Sequence, residues 1–282
     1  MAASPDILTQ DESYGRHSTG ILPSHVLARL FAAGREIVAS EPFLPGQIQP
    51  ASLDLRLGPV AYRVRASFLP GPNATVEDRL AQVFMHEIDL SEGAVLEAGC
   101  VYIVPLLERA DFSARISGTA NPKSSTGRID VFTRLITDHA AAFDRVAAGY
   151  SGPLYAEICP QTFPVLVRKG SRLNQLRVRH GSPQFSDTQL RRLHEQIPLV
   201  AIDDGRSEPN IEGGLALSID LKGNADDGKR IGFRAKKHTG LIDVDRVGAL
   251  DPMDFWEPIF ANARGDMVLD PDEFYILVSR ER

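Results

Sequence analysis

Leu154-Tyr155-Ala156-Glu157-Ile158 sets the apolar side chains Leu154, Ala156 and Ile158 on one face and Tyr155 and Glu157 on the other. A period of two belongs to a β-strand, because successive Cβ atoms leave opposite sides of a pleated backbone. Short runs of branched and apolar residues broken by turn residues recur from Ile48 onward: Ser52 to Leu57, Val60 to Val64, Val101 to Leu107, Asp130 to Ile136, Phe163 to Val167 and Leu173 to Val178. This spacing predicts an all-β barrel or sandwich. Helical patterning is confined to three places. One is His25 to Ala33, with Ser24 as cap and Gly34 as stop; another is a turn around Val76 to Phe84. The third is Leu190 to Ile197 behind the capping box Ser186-Asp187-Thr188-Gln189.

Glu157 has two readings. A lone strand glutamate is by default solvent-facing, since carboxylates are rarely buried; the alternation equally permits a carboxylate aimed into a site.

The 282 residues are 43% hydrophobic and 24% charged, an ordinary globular composition, and no apolar run approaches the roughly 18 residues of a membrane helix. Met1 to Gly20 is polar and lacks an apolar signal-peptide core, so it reads as a flexible tail on a cytoplasmic protein. Cys100 and Cys159 lie far apart in apolar strand-like runs, which suits buried free thiols in a reducing compartment better than a disulfide framework. There is no Cys-x-x-Cys, no His-Glu-x-x-His and no His-x-Glu with a later Pro-Cys pair, which disfavours zinc chemistry. A net charge of −6 argues against nucleic-acid binding. Between Ser113 and His180, however, ten Lys/Arg stand against four acids, a local excess read either as solvated strand faces or, for a few of them, as a site for a small polyanion.

Asn121-Pro122-Lys123-Ser124-Ser125-Thr126-Gly127-Arg128-Ile129-Asp130 gathers two cations, hydroxyls and a glycine in one turn. That is the inventory of an anion-binding loop, although an ordinary polar turn has the same composition.

The chain divides into a tail (1–20), a β-barrel domain (21–180), a connector with one helix (181–212) and a partial second copy of the barrel (213–282). The copy is visible as an internal repeat. Ala51-Ser52-Leu53-Asp54-Leu55 is echoed by Leu217-Ser218-Ile219-Asp220-Leu221, an offset of 166 between Asp54 and Asp220. Val95-Leu96-Glu97, Tyr102-Ile103 and Glu108-Arg109 are echoed by Val268-Leu269-Asp270, Tyr275-Ile276 and Glu281-Arg282, an offset of 173. The copy stops before any counterpart of Lys123 or Glu157, so no second site is expected, and its strand edges call for a fuller chain or another subunit.

Taken in order, these pieces resemble the dCTP deaminase and dUTPase superfamily, specifically its two-domain dCTP deaminases. Gln49-Pro50-Ala51-Ser52-Leu53-Asp54-Leu55-Arg56-Leu57-Gly58 is similar to the family motif Pro-Ala-Ser-x-Asp-Leu-Arg-Leu-Gly. Lys123-Ser124-Ser125-Thr126-Gly127-Arg128 resembles the Arg-Ser-Ser-x-x-Arg loop, and Ile136-Thr137-Asp138-His139 resembles Val-Thr-x-His. Gly149-Tyr150-Ser151-Gly152 leads to Glu157 as Gly-Trp-x-Gly leads to the family's catalytic Glu. Gly170-Ser171-Arg172-Leu173-Asn174-Gln175-Leu176 is similar to the late Gly-x-x-Ile-x-Gln-Leu strand.

The resemblance implies a distorted β-barrel of the dUTPase-like, β-clip type with a few short helices, usually a homotrimer with sites between subunits. It implies deamination of dCTP to dUTP and ammonia, with magnesium carried on the triphosphate and no zinc. Carried over by position, Glu157 is general base and acid. Ser124 and the main-chain carbonyl of Asp138 hold the water, and Arg128 orients the pyrimidine and supports Glu157. Lys123 and Ser125 meet phosphate oxygens, Asp54 supports the magnesium–triphosphate end, Tyr150 packs on the deoxyribose, and Gln175 is a further substrate contact.

Three features depart from the pattern. Lys123 replaces a guanidinium fork with a point charge, and Ala140 to Ala148 is an insertion. Ala147 stands where an Asp is usual, which counts against dUTP hydrolysis unless Asp138 or Asp144 substitutes. The alternatives are a dUTP diphosphatase or bifunctional enzyme, and a non-catalytic nucleotide-binding barrel acting as regulator or scaffold.

Overall fold

A computed structural model describes residues 19–202, 205–206 and 209–281. The expected tail lies outside the described residues except for Thr19 and Gly20, as does Arg282. The chain forms two compact units. One holds the described residues up to Pro183 together with Gly240–Ala249; the other holds Gln184–Thr239 and the described residues from Leu250 on.

In chain order the first unit contains β1 (Gly20–Ile21), α1 (Ser24–Ala32), β2 (Glu36–Ala39), β3 (Ile48–Gln49), β4 (Ser52–Leu55), β5 (Val60–Val64), α2 (Val76–Val83), β6 (Phe84–Asp89), β7 (Ala94–Leu96), β8 (Val101–Asp111), β9 (Ile116–Pro122), α3 (Ser124–Gly127), β10 (Val131–Thr137), β11 (Arg145–Val146), β12 (Ser151–Pro160), β13 (Val165–Val167) and β14 (Asn174–His180). One six-stranded sheet runs β11-β9-β14-β4-β3 with β1 beside β14, and a second runs β10-β12-β8-β5-β6 with β2 beside β8. A small sheet joins β7, β13 and Ile242–Asp243, the last parallel to β13. The mainly β expectation therefore holds.

The two large sheets share a core of Leu53, Leu55, Ile116, Leu176 and Val178 from the first and Ile37, Leu135 and Leu154 from the second. Ala156 and Ile158 continue the same face of β12 into a cluster with Leu96, Val165 and Val167. The opposite face of β12 is covered as well, because Tyr155 packs with Val76 and Leu80 of α2. Thr75 caps this helix in a reciprocal box with Asp78, and Asp138 at the end of β10 accepts a hydrogen bond from Val76 N–H at 2.8 Å.

Helix α1 forms where expected but is not capped by Ser24. Pro23, in extended backbone, occupies the cap position, and its carbonyl accepts from Val26 and Leu27 at 3.0 Å. The helix is held by its buried face of Val26, Leu27, Leu30 and Phe31, and Gly34 at φ 64° ends it.

Several contacts of the first unit recur in the second. Tyr102 Oη accepts from Glu97 N–H at 3.0 Å, and Tyr275 Oη accepts from Asp270 N–H at 3.2 Å. The strand Arg230–Ala235 lies between Trp256–Phe260 and Tyr275–Leu277, as β5 lies between β6 and β8. Glu108 accepts from Arg56 N–H and Glu281 from Ser218 N–H, both at 2.8 Å; Leu57 bridges Leu106 as Ile219 bridges Ser279. These contacts equate Ser218 with Arg56, four residues away from the Ser52 equivalence suggested by Leu-Ser-Ile-Asp-Leu, because hydrogen bonding, not local similarity, defines the register. Leu217 and Ile219 are 60% and 51% exposed where Leu55 and Leu57 are 1%. No counterpart of β14, which pairs beside Leu55, occurs among the described residues of the second unit. No described helix is long and apolar enough to cross a membrane.

Candidate active site

Glu157 is 2% exposed, so the solvent-facing reading fails: α2 and the segment around Phe143 cover the face on which it lies. Directly across the β10–β12 ladder stands Arg134. Its Nε and terminal nitrogen donate to Glu157 Oε1 at 3.0 and 2.5 Å, and the same terminal nitrogen donates to Ser67 Oγ at 3.1 Å. The guanidinium lies 3.9 Å from the centroid of the Phe143 ring, a cation–π stack. Glu157 Oε2 is buried with no hydrogen-bond partner among the described residues. The carboxylate thus has one oxygen held and one unused, in a site shielded from water. Burial raises the Asp144 carboxyl above its ordinary value, although Leu135 N–H donates to it at 2.8 Å and Arg134 lies near; Glu157 adds to the rise.

Arg134 was missed as a site residue by the sequence reading, as were Ser67 and Phe143. Arg128, expected to support Glu157, instead donates from Nε to the Ser124 carbonyl at 3.2 Å, and no hydrogen bond joins it to the carboxylate. The reason is local: α3 continues into Arg128, whose side chain folds back on the preceding turn.

A second group forms where β4, β9 and β14 meet. Lys123, at the start of α3, is ion-paired with Asp54, whose side chain is 2% exposed, and Arg172 approaches the same carboxylate at 3.7 Å. Gln175 accepts from Ser52 Oγ at 3.0 Å and donates to the Pro122 carbonyl at 3.4 Å. Lys123, Asp54 and Gln175, remote in sequence, are therefore assembled at one end of the sheet. Ser124 and Ser125 are exposed, and their hydroxyls make no hydrogen bond among the described residues.

Tyr150 and Asp138 come together in a third place. Tyr150 Oη accepts from Asp138 N–H at 3.2 Å and donates to the Pro153 carbonyl at 2.7 Å, and burial raises its phenol to about 12. A Cβ at Gly152 would stand 2.5 Å from that oxygen, so a larger residue there would displace the Tyr150 ring. Both residues line a cavity of about 490 Å³ with His139, Arg145, Ala147 and Arg179. Asp144 is not among its lining residues. Among the described residues no group of three or more His, Cys, Asp or Glu is arranged to hold a metal.

The family model for the 2′-deoxycytidine 5′-triphosphate deaminase N-terminal domain matches residues 18–182, and the model for the C-terminal domain matches 186–282. The chain is 30% identical over 160 residues to the dUMP-forming dCTP deaminase of Salinispora arenicola, covering 55% of this chain and 77% of that protein. It is 30% identical over 154 residues to the dCTP deaminase of Halorubrum lacusprofundi, covering 54% and 72%. In structure it is similar to the 2′-deoxycytidine 5′-triphosphate deaminase from Agrobacterium tumefaciens, with a TM-score of 0.87 and 54% identity over 94% of this chain and 77% of that one. With both domain models matched on a mainly β, dUTPase-like fold, the chain belongs to the 2′-deoxycytidine 5′-triphosphate deaminase family and is an enzyme of that kind.

Proposed function

We infer that the enzyme hydrolyses the exocyclic C–N bond of dCTP to give dUTP and ammonia, with Glu157 as general base and acid and no zinc. The observation that carries this reading is the state of Glu157: buried, with Oε1 held and Oε2 unpartnered. Such a carboxylate is suited to taking a proton from water as the oxygen adds to the pyrimidine C4, and to returning it to the leaving amine. Exclusion of water strengthens the exchange. Ser124 and the Asp138 carbonyl hold the water, Arg128 orients the pyrimidine, and Tyr150 meets the deoxyribose.

Lys123 and Ser125 meet phosphate oxygens, and Gln175 belongs to the same end. Magnesium, when bound, neutralises triphosphate charge. Asp54 already serves Lys123 and Arg172, so it suits a water-mediated contact with that ion rather than direct ligation. Arg128 and Glu157 make no hydrogen bond to each other in one chain, which favours a site completed by another copy, in keeping with a homotrimer. Action in the cytoplasm belongs to the same reading.

The dUMP-forming names among the relatives favour a second reading, in which the diphosphate linkage is also cut. Against it, position 147 is alanine, and the carboxylates of Asp138 and Asp144 accept from Val76 and Leu135 N–H groups. Incubating the enzyme with dCTP and magnesium, while following ammonia, dUTP, dUMP and pyrophosphate, separates the readings. Ammonia with dUTP is expected. Ammonia with dUMP and pyrophosphate establishes the second reading; in a parallel incubation with dUTP, pyrophosphate from dUTP without ammonia from dCTP indicates a dUTP diphosphatase, and both nucleotides bound but unchanged a scaffold. Restoration of a chelated sample by zinc but not by magnesium would overturn the zinc-free chemistry.

A further inference from the structure

We propose that Arg134 is a positioning residue for deamination, fixing which oxygen of Glu157 exchanges the proton. The inference rests on the reading of Glu157 as general base and adds a residue to it. Three observations point the same way. Arg134 and Glu157 are direct cross-strand partners on β10 and β12, so their backbones hold the pair in register. Two guanidinium nitrogens converge on Oε1 alone, and none reaches Oε2, which is buried without a partner. The guanidinium is itself held on two further sides, by Ser67 Oγ and by the Phe143 ring.

An ion pair meant only for stability gains most from a two-oxygen fork. Here both donors fall on one oxygen, and the other is left free. Holding Oε1 limits rotation about the terminal bond of Glu157 and aims Oε2, so the carboxylate meets water in one orientation. Arg134 does not touch the reacting atoms in this scheme; it acts through Glu157. Its side chain is 40% exposed, whereas that of Glu157 is 2% exposed.

The test uses the full chain with dCTP. Arg134→Gln should lower kcat by about 10² with KM changed less than about threefold, since an interaction that orients the base acts on turnover more than on binding. Arg134→Lys should recover part of the loss, because the charge remains while the paired donors are gone. Arg134→Ala should be partly restored by added guanidinium ion, a response that general loss of structure would not give, and the lysine variant keeps the test alive if the others fold poorly. Full activity, or a gain, in a folded Arg134→Gln enzyme overturns the proposal and makes the arginine a spectator or an obstruction. A rise in KM at unchanged kcat also overturns it, as does loss without lysine or guanidinium rescue. Glu157→Gln, run in parallel, separates the two ideas. If that variant stays active, the reading of Glu157 fails; if it is inactive while the arginine variants behave like wild type, only the positioning role fails.

Discussion

Glu108 accepts from Arg56 twice, from the main-chain N–H at 2.8 Å and from the side-chain Nε at 2.7 Å, with both side chains buried. Gln47 donates to the same carboxylate at 2.8 Å, and the remaining guanidinium nitrogens donate to the carbonyls of Pro42 and Glu41. The pair ties β4 and its following residues to β8 and closes one end of the core. Removing one partner strands a buried charge, so Glu108→Ala should cost about 3–5 kcal/mol. Denaturant unfolding measures this, and a loss below about 1 kcal/mol contradicts it. Glu281, the counterpart in the second unit, bonds the exposed Ser218, and its alanine variant should unfold like the parent.

Glu157→Gln preserves shape and removes the proton acceptor. Turnover of dCTP should fall by more than about 10², while nucleotide affinity stays within a few-fold of wild type. Steady-state kinetics with a parallel binding titration decides it; near-normal kcat would sink the mechanism.

Lys123 serves both a phosphate and Asp54 in the proposed site. Lys123→Met should raise the KM for dCTP by about tenfold and also destabilise the fold, because it removes the principal cation from a buried carboxylate. Adding Asp54→Asn should recover stability without recovering KM. A double-mutant cycle on both quantities tests the separation; recovery of both together would place Lys123 outside the phosphate site.

Tyr150→Phe deletes a hydroxyl with two main-chain partners and leaves Asp138 N–H and the Pro153 carbonyl to find others. A stability loss of about 1–3 kcal/mol is expected. Since the Asp138 segment lines the cavity, kcat/KM should fall as well; unchanged stability and rate in Tyr150→Phe would show the bridge to be dispensable.

Burial pushes the Glu36 carboxyl above its usual value of 4.5, although Ser113 N–H donates to it at 2.9 Å. With the folded value above the unfolded one, the neutral form is favoured on folding. The stability it brings is complete below the unfolded value and is lost as pH rises through the folded one. Glu36→Gln lacks that loss, so the unfolding free energy of the variant minus that of wild type should grow between acid and neutral pH. A difference that stays flat across that range contradicts the assignment.

Much of the barrel could be read without coordinates because a buried strand repeats every two residues and turns interrupt it. Leu154, Ala156 and Ile158 face the core as their alternation requires. The same alternation could not say whether the other face met solvent, since α2 covers it by coming from a distant part of the chain. Ser24 misled because a serine before an apolar run is a cap only if its own backbone stays outside the helix, and here Pro23 holds that position. Leu217-Ser218-Ile219-Asp220-Leu221 suggested a register four residues away from the one the hydrogen bonds of Ser218 and Arg56 define, because local similarity carries no pairing information.

By itself the sequence determined the β class, the anion-binding inventory of Lys123 to Arg128 and the candidacy of Glu157, all of which depend on residue type and local period. Only the tertiary structure decided that Glu157 is buried, that Arg134 holds its Oε1 from across the ladder, and that Asp54 pairs with Lys123. Those facts depend on which strands pair and in what register, a long-range outcome of packing two faces at once, which local periodicity does not encode.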